Sequence, residues 1–411
     1  MLDFRLDEEL TAIGDSLLRF IDTEVAPLER ANADLLGSER NVFDEDGRYS
    51  QSVLSLKRQV RQMSAEAGFY TMFGAEELGG SGLGPVAAVY LNGLMAEHCG
   101  PGRELIHPVV IPSPFTNGLS ALLLHLDPAG RHGYLTKIAS GEKTMCFGLS
   151  EADAGSDVFA MKSRAVREGN DWVLNGAKQW ITNGPYADYA MIFAVTDPEL
   201  ASARRGGITG FFIDTTWNGF SAPSTIPILG HLGAEIGILN FDDLRVPDSH
   251  RLGDVDQGLK VAMSGVNTGR LGLAATVVGY ARWALDQALE YAKVRKTFGK
   301  PIAEHQAVQI QLADCAVEIY GARQMLLNCA WKLEQGERAL AEISMVKLHC
   351  TEISNRVFDR CIQIHGAMGL TNELRLEAGY RFARSMRIPD GTSEIQRRTI
   401  ARELLANGAS F

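Results

Sequence analysis

The spacing of apolar residues changes twice along this 411-residue chain, and that change constrains the fold more than any other feature. Near the start, apolar residues recur at helical steps, as at Leu10, Ile13 and Leu17. From about Thr144, short runs rich in Val, Ile, Phe and Trp alternate with turn residues, which predicts strands. From about Gly258 the helical period returns in long segments with few breakers, which is typical of a helical bundle.

This order predicts an α+β multidomain protein. We expect an N-terminal helical domain over 1–142, a middle β domain over 143–253 and a C-terminal helical bundle over 254–411. Strands and helices do not alternate, which argues against a doubly wound nucleotide-binding fold. Gly82-x-Gly84-x-x-Ala87 resembles a dinucleotide fingerprint, but no buried strand precedes it, so we expect a structural loop.

Within the β domain, turn residues predict where strands end. The run from Arg164 to Val173 is interpreted as two strands that meet at Gly169-Asn170, and Asn175-Gly176 as a further turn. In the bundle, glycines such as Gly272 and Gly279 either permit close helix packing or leave room for a ligand, and both interpretations stay open.

Charge and composition exclude several classes of protein. The net charge of -10 argues against a nucleic-acid partner, whose phosphates it would repel. Six cysteines without a C-x-x-C pair suggest buried thiols in a reducing, cytoplasmic location. The acidic N-terminus lacks the apolar core of a signal peptide, and no apolar stretch is long enough to predict a membrane span. No His/Cys/Asp cluster has metal-ligand spacing, so no metal is expected.

Four segments, taken together in this order and spacing, resemble the acyl-CoA dehydrogenase family. They are Phe147–Asp157 (FGLSEADAGSD), Trp180–Gly184 (WITNG), Arg295–Gly299 (RKTFG) with His305-Gln306, and Gln363–Gly369 (QIHGAMG) with Asp390–Gln396 (DGTSEIQ). The resemblance covers nearly the whole chain and implies the family fold, whose C-terminal domain is a four-helix bundle. It also implies FAD as cofactor, an acyl-CoA substrate, an electron-transferring flavoprotein as electron acceptor, and a homo-oligomer, either a dimer or a tetramer.

The implied chemistry needs a base on the far side of the substrate from the flavin. A thioester carbonyl acidifies the α C–H, so a carboxylate can remove that proton while FAD N5 accepts hydride from Cβ. By resemblance the base is Asp390, where most of the family carries Glu, and its reach is shorter by roughly 1.3–1.5 Å. Some relatives place the base near the position of Gly269, which cannot serve here. The alternative for Asp390 is a turn residue that caps the next helix.

The resemblance assigns further contacts residue by residue. In the β domain, the implied FAD contacts are Phe147, Leu149, Ser150, Gly155, Ser156, Trp180, Ile181 and Thr182. In the bundle they are Arg295, Thr297, Phe298, His305, Gln306, Gln363, Gly366, Ala367, Thr392 and Glu394, with Arg295 and Thr297 reaching the FAD of a neighbouring subunit. The implied acyl-CoA contacts are Ser156, Asn267, Arg270 and Gly391.

Some of these positions also fit a purely structural role. Trp180 fits ordinary core packing, Arg270 an ion pair within the bundle, and Arg295 an exposed helix end. His365 is expected to be a structural histidine.

The function implied is FAD-dependent α,β-dehydrogenation of an acyl-CoA. Two alternatives remain at this point: a flavin oxidase similar to nitroalkane oxidases, which use Asp as base, and a catalytically inactive scaffold that binds acyl thioesters. An acyl carrier protein in place of CoA is also open.

Overall fold

A computed structural model describes residues 6–409 of the chain, so the first five residues of the acidic N-terminal segment lie outside the described range. The contacts divide the chain into two compact units. The helical unit comprises Met1–Glu24, Gly84–Arg103 and Thr268–Phe411. The sheet unit comprises Val25–Leu83 and Glu104–Asn267. The three domain ranges expected from the sequence stay a prediction.

Helical segments precede and follow a stretch of strands, as the apolar spacing predicts. The helices are α1 (Glu8–Phe20), α2 (Ala26–Ala31), α3 (Ala33–Leu36), α4 (Glu39–Val42), α5 (Gln51–Glu66), α6 (Pro85–Cys99), α7 (Pro128–Ala139), α8 (Pro198–Ser202), α9 (Gly258–Val294), α10 (Gln306–Glu334), α11 (Leu340–His365), α12 (Leu376–Ser385) and α13 (Ser393–Asn407). The strands are β1 (Met145–Gly148), β2 (Arg164–Glu168), β3 (Asp171–Thr182), β4 (Tyr189–Val195), β5 (Ile208–Asp214), β6 (Phe220–Ser221), β7 (Ile236–Pro247), β8 (Arg251–Leu252), β9 (Lys296–Thr297) and β10 (Lys300–Pro301).

The sheet unit is built on one sheet with the order β6-β7-β3-β2-β4-β5-β8, and β1 pairs with β4 in parallel. Every residue of β4 is buried, because its run from Tyr189 to Val195 is apolar on both faces of the sheet. The predicted hairpin at Gly169-Asn170 is confirmed, since β2 and β3 pair as neighbours there.

The predicted turn at Asn175-Gly176 is wrong. β3 continues through this point to Thr182, and its pairing with β7 shifts register between Leu174 and Gly176. The extra residue of this β-bulge lies on β7, between Phe241 and Leu244. Opposite it, Gly176 has φ of +140°, which a glycine adopts readily. A second register shift follows between Lys178 and Ile181 and changes the direction of the side chains before the strand ends.

The helical unit packs α10 against α11, and α11 against α12 and α13. Its core is formed by apolar residues of α9, α10 and α11 together with Val89 and Ala96 of α6. A side chain at Gly279 would overlap the carbonyl oxygen of Gly93, so this glycine serves close packing of α9 on α6. At Gly272, by contrast, a Cβ would meet only the Asn92 side chain, at 4.0 Å.

All six cysteines are buried free thiols, as the sequence predicts. Within residues 6–409, none of the helices combines the length and apolar character that a bilayer crossing requires. Over the same residues, no group of three His, Cys, Asp or Glu side chains is arranged to hold a metal ion.

Candidate active site

Asp390 lies in the short loop between α12 and α13, where the backbone is strained. Its φ is +56°, in the left-handed region that a non-glycine residue adopts at a cost, and Gly391 follows with φ of +93°. The helix cap is Thr392, whose hydroxyl accepts a hydrogen bond from the Ile395 N–H at 3.3 Å. The side chain of Asp390 is therefore not the cap of α13.

Three side chains from three helices donate to the two carbonyls of this loop. Arg270 of α9 donates from Nε to the Asp390 oxygen at 2.8 Å. Gln396 of α13 donates from Nε2 to the oxygens of both Asp390 and Gly391, each at 3.0 Å. Lys347 of α11 donates from Nζ to the Gly391 oxygen at 2.9 Å. These four bonds hold the strained loop in one conformation.

The electrostatic surroundings of Asp390 combine burial with two cations. Burial raises the pKa of the Asp390 carboxyl above its ordinary value, and the nearby Lys347 and Arg270 charges oppose this without cancelling it. Lys347 has no exposed surface, and burial lowers the pKa of its ammonium to about 8. A carboxyl with a raised pKa is better matched to proton abstraction near neutral pH than an ordinary aspartate.

Gly391 is required by space as well as by backbone angle. A Cβ there would lie 2.8 Å from Gln396 Nε2 and 3.2 Å from an Arg270 guanidinium nitrogen. Gly391 and Arg270 are predicted site residues, whereas Lys347 and Gln396 were not predicted from the sequence. Gln396 is the last residue of the Asp390–Gln396 motif. The sequence signal for Lys347 is weaker: it is a lysine between the apolar residues Val346 and Leu348.

In the sheet unit, Trp180 lies at the second register shift of β3, between Lys178 and Ile181. Its φ is +66°, and 51% of its surface is exposed. Ordinary core packing is therefore the wrong interpretation of this residue. Next to it, Ile181 is buried and Thr182 is exposed. An exposed indole held in a strained conformation at a strand irregularity is typical of a functional position.

The end of β1 lies beside this part of β3. Ser150 accepts a hydrogen bond from the Gln179 N–H at 3.0 Å, which brings Phe147, Leu149 and Ser150 next to Trp180. Leu149 is buried and Phe147 is half-buried against the ring of Phe193. Gly155 and Ser156 lie in the exposed turn that follows.

A buried ion pair lies beneath this segment and was not predicted. Lys178 Nζ lies 2.7 Å from Glu151 Oε1 and 3.3 Å from the Leu149 oxygen. Glu151 also accepts hydrogen bonds from the N–H groups of Lys162 and Ser163 at 2.6 and 3.1 Å. Burial raises the pKa of the Glu151 carboxyl, but Lys178 and these donors outweigh it, so the pKa is lowered and Glu151 stays ionised.

In the helical unit, five of the expected cofactor residues lie in or beside the small hairpin of β9 and β10. Arg295 precedes its first strand and Thr297 ends that strand, and the Thr297 hydroxyl lies 3.4 Å from His305 Nε2. Phe298 is at the tip with φ of +50° and is 97% exposed. Gln306 then begins α10. Because Arg295 is exposed, this hairpin presents a guanidinium and an aromatic ring to the surroundings.

The remaining expected residues lie at helix ends or along α9. Gln363, Gly366 and Ala367 are exposed at the end of α11. Thr392 and Glu394 begin α13, and Asn267 and Arg270 lie on α9. His365 is buried, bonds through Nδ1 to the Cys361 oxygen at 2.7 Å and stacks on Tyr291, which confirms its structural role.

Comparison with known proteins identifies the family. Residues 146–244 match the middle domain of acyl-CoA dehydrogenases, and residues 256–405 match their C-terminal domain. The short-chain specific acyl-CoA dehydrogenase of human mitochondria is 34% identical over 368 residues, which are 90% of this chain and 87% of that protein. This chain belongs to the acyl-CoA dehydrogenase family. Its enzyme class is therefore that of oxidoreductases acting on CH–CH bonds.

Further members of the family agree with this chain in sequence and fold. The CarC subunit of the caffeyl-CoA reductase-Etf complex of Acetobacterium woodii is 34% identical over 362 residues, 88% of this chain and 92% of that protein. Butyryl-CoA dehydrogenase from Megasphaera elsdenii has a TM-score of 0.80 at 26% identity, covering 98% of this chain and 100% of that chain. PigA, solved with FAD and proline, has a TM-score of 0.79 at 27% identity, covering 99% and 100%. The predicted fold class is confirmed.

Proposed function

We propose that this chain is an FAD-dependent acyl-CoA dehydrogenase in which Asp390 removes the α-proton of an acyl-CoA thioester. The observation that carries the proposal is the loop around Asp390. A carboxylate at the family's base position has a burial-raised pKa and stands on a strained backbone held by Arg270, Lys347 and Gln396. Strain and buried charge together are typical of catalytic positions rather than of helix caps.

The chain's residues fit FAD, the cofactor with which PigA was solved. Trp180 offers an exposed flat face, and Thr182 beside it offers an exposed hydroxyl for a flavin ring. Arg295 offers a planar set of donors suited to a pyrophosphate. At Gly366 an added Cβ would meet nothing within 4 Å, so the backbone there is open to a ligand. When bound, FAD supplies the acceptor for the hydride that leaves Cβ.

The short side chain of Asp390 requires a compensating geometry. Aspartate reaches roughly 1.3–1.5 Å less far than the usual glutamate, and near-attack geometry is sensitive on that scale. The left-handed backbone at Asp390 turns its Cα–Cβ bond away from the direction of a regular helix end. We propose that this backbone, held by Arg270, Lys347 and Gln396, compensates for the shorter reach of the aspartate side chain.

The proposed partners are an electron-transferring flavoprotein and further copies of the chain. CarC is named as a subunit of an Etf complex, which supports the first. Association with further copies of the chain is supported by exposed apolar side chains on the helical unit, because contact between apolar surface and water is unfavourable. They are Val294, Phe298, Ile310, Val317 and Leu370, with 74, 97, 55, 72 and 72% of their surfaces exposed.

An anaerobic panel of acyl-CoAs tests the proposed function directly. Purified protein should be yellow, and its flavin absorbance should bleach with at least one of butyryl-, octanoyl-, palmitoyl-, isovaleryl- or 3-phenylpropanoyl-CoA. Aerobic incubation with nitroethane should consume no oxygen. Oxygen consumption with nitroethane would favour the oxidase, and a colourless protein that binds acyl-CoA would favour the inactive scaffold.

Asp390→Asn tests the assignment of the base. Because the amide cannot accept the α-proton, turnover should fall by about 10²–10⁴-fold, the usual contribution of a general base. FAD content and binding of the enoyl-CoA product should stay as in the wild type. Asp286→Asn, the same change at a half-exposed ion pair with Arg282 on α9, is the matched control and should keep full turnover. Normal turnover in Asp390→Asn would show that another residue is the base.

A further inference from the structure

We infer that Lys347 is a positioning residue for the proposed dehydrogenation: its ammonium holds the Gly391 carbonyl and so fixes the direction in which Asp390 presents its carboxylate. The inference rests on the proposed function and extends it to a residue on a separate helix, 43 positions before Asp390 in the sequence.

Burying the ammonium of Lys347 is costly. Its side chain has no exposed surface, and an ammonium removed from water costs several kcal/mol unless it is well paired. The acceptor it contacts is a backbone carbonyl, at 2.9 Å, and not a carboxylate. A structural lysine usually extends its ammonium to solvent. A charge kept at this cost, aimed at the residue that follows Asp390, points to a role in the loop.

The bond from Lys347 stabilises an unusual backbone conformation. Asp390 and Gly391 both have positive φ, at +56° and +93°, so both peptide groups are turned from their usual directions. Their carbonyl oxygens converge on the donors of Lys347, Arg270 and Gln396. A left-handed residue persists only when its surroundings over-determine it. Of the four bonds described for this loop, two reach the Gly391 oxygen, one from Lys347 and one from Gln396. If the Lys347 bond were lost, only the Gln396 bond of these two would remain.

The charge of Lys347 also acts on Asp390. Lys347 and Arg270 are the cations that stabilise the ionised form of Asp390 against its burial. The acidic side chains near these two cations already have other partners. Glu352 pairs with Arg387 at 3.0 Å and accepts from the Ser393 hydroxyl at 2.7 Å, and exposed Glu394 lies 3.8 Å from Arg397. The Lys347 charge is therefore directed mainly to Asp390 and its loop.

Two variants separate positioning from charge. Lys347→Met keeps an unbranched side chain that is one heavy atom shorter, and it removes both the donor and the charge. Gln396→Leu removes the two neighbouring donors and leaves the charge in place. Lys332→Met is the matched control, since Lys332 is another mostly buried lysine of the same unit but pairs with Glu342 at 2.6 Å.

With the acyl-CoA that bleaches the wild-type flavin fastest, kcat should fall by roughly 10–100-fold in both Lys347→Met and Gln396→Leu, since small misplacements of a reacting group cost that much. KM, flavin content and the dissociation constant of the enoyl-CoA product should change by less than about threefold (under 0.7 kcal/mol). In Lys347→Met alone, the acidic limb of the kcat/KM profile should move to higher pH. Lys332→Met should behave as the wild type.

A double-mutant cycle in thermal unfolding tests the coupling without any turnover. The cycle combines Lys347→Met with Asp390→Asn at pH 7 in the flavin-loaded protein. Asp390→Asn should raise the melting temperature more in the Lys347→Met background than in the wild type, because the buried carboxylate there has lost a compensating cation.

Equal gains in the two backgrounds, or a kcat of Lys347→Met within twofold of the wild type, would overturn the inference. If no acyl-CoA bleaches the wild-type flavin, the proposed function fails, and the cycle still decides whether Lys347 acts on Asp390.

Discussion

At the scale of single residues, the two positions on which the proposal depends share one property. Asp390 and Trp180 both have left-handed backbone angles, at φ of +56° and +66°, although neither is glycine. Such angles cost of order 1–3 kcal/mol each and persist only where the surrounding structure over-determines them. Both side chains therefore stand in directions that a regular strand or helix end would not give them.

Asp390 should make the stability of the protein depend on pH in a predictable direction. Its folded-state pKa is raised above the unfolded value, so the ionised carboxylate costs stability at neutral pH, and this cost disappears as pH falls below the unfolded value of about 3.9. Asp390→Asn, which resembles the protonated acid, should therefore melt at a higher temperature than the wild type at pH 7. The difference should shrink as the pH is lowered towards 4, measured by calorimetry on the flavin-loaded protein. A gain that is constant across this range, or a loss at pH 7, would contradict the assigned environment.

At the scale of elements, the buried pair Glu151–Lys178 ties the end of β1 to the middle of β3. The Lys178 side chain is fully buried and the Glu151 side chain is 8% exposed. The pair lies directly under the segment that carries Ser150 and Trp180. Its effect is to fix the residues that we propose to contact the flavin.

Breaking one side of this pair should be costly. Lys178→Met leaves the Glu151 carboxylate buried without its cation, and the free energy of unfolding should fall by about 3–5 kcal/mol. The double variant Glu151→Leu/Lys178→Met should recover part of that loss, because no uncompensated charge remains. Urea unfolding followed by circular dichroism measures both. Exposed Lys162→Met, which breaks the surface pair with Asp153, is the control and should change stability little. A double variant as unstable as the single one would show that the pair acts through packing and not through charge.

Helices and strands could be predicted where the spacing of apolar residues alone determines them. They were harder to predict where a strand contains a local irregularity. The hairpin between β2 and β3 follows from Gly169-Asn170. The two register shifts between β3 and β7 could not be predicted from the sequence, because a glycine such as Gly176 suits both a turn and an irregular point within a strand. The role of Lys347 was hidden for a different reason: a lysine in a helix normally faces water, and its partner, Gly391, is distant in sequence. The FAD and acyl-CoA contacts named from the family stay predictions.

At the scale of the whole molecule, the proposed self-association depends on the hairpin of β9 and β10. Phe298 at its tip is almost fully exposed, in a conformation that a large side chain adopts at a cost. An exposed aromatic ring beside Arg295 is typical of a contact with another copy of the chain or with its cofactor.

Phe298→Ser tests this interpretation. Since the ring contributes no core packing in the protomer, stability should change by only about 0.5 kcal/mol. The protein should sediment as a smaller species than the wild type in analytical ultracentrifugation, and FAD should bind roughly tenfold more weakly, about 1.4 kcal/mol. Leu405→Ser, which changes another exposed apolar residue at 89% exposure, should sediment and bind FAD as the wild type does. Unchanged sedimentation of Phe298→Ser would exclude the hairpin tip from the interface.

The burial of all six thiols has a practical consequence for spectroscopy. Maleimide dyes need a reachable sulfur, so the native chain offers them little to react with, and a single cysteine introduced at a surface position such as Leu405 could be labelled without removing any natural one. A donor and an acceptor dye distributed among such chains would report by energy transfer how many copies assemble and how fast they exchange.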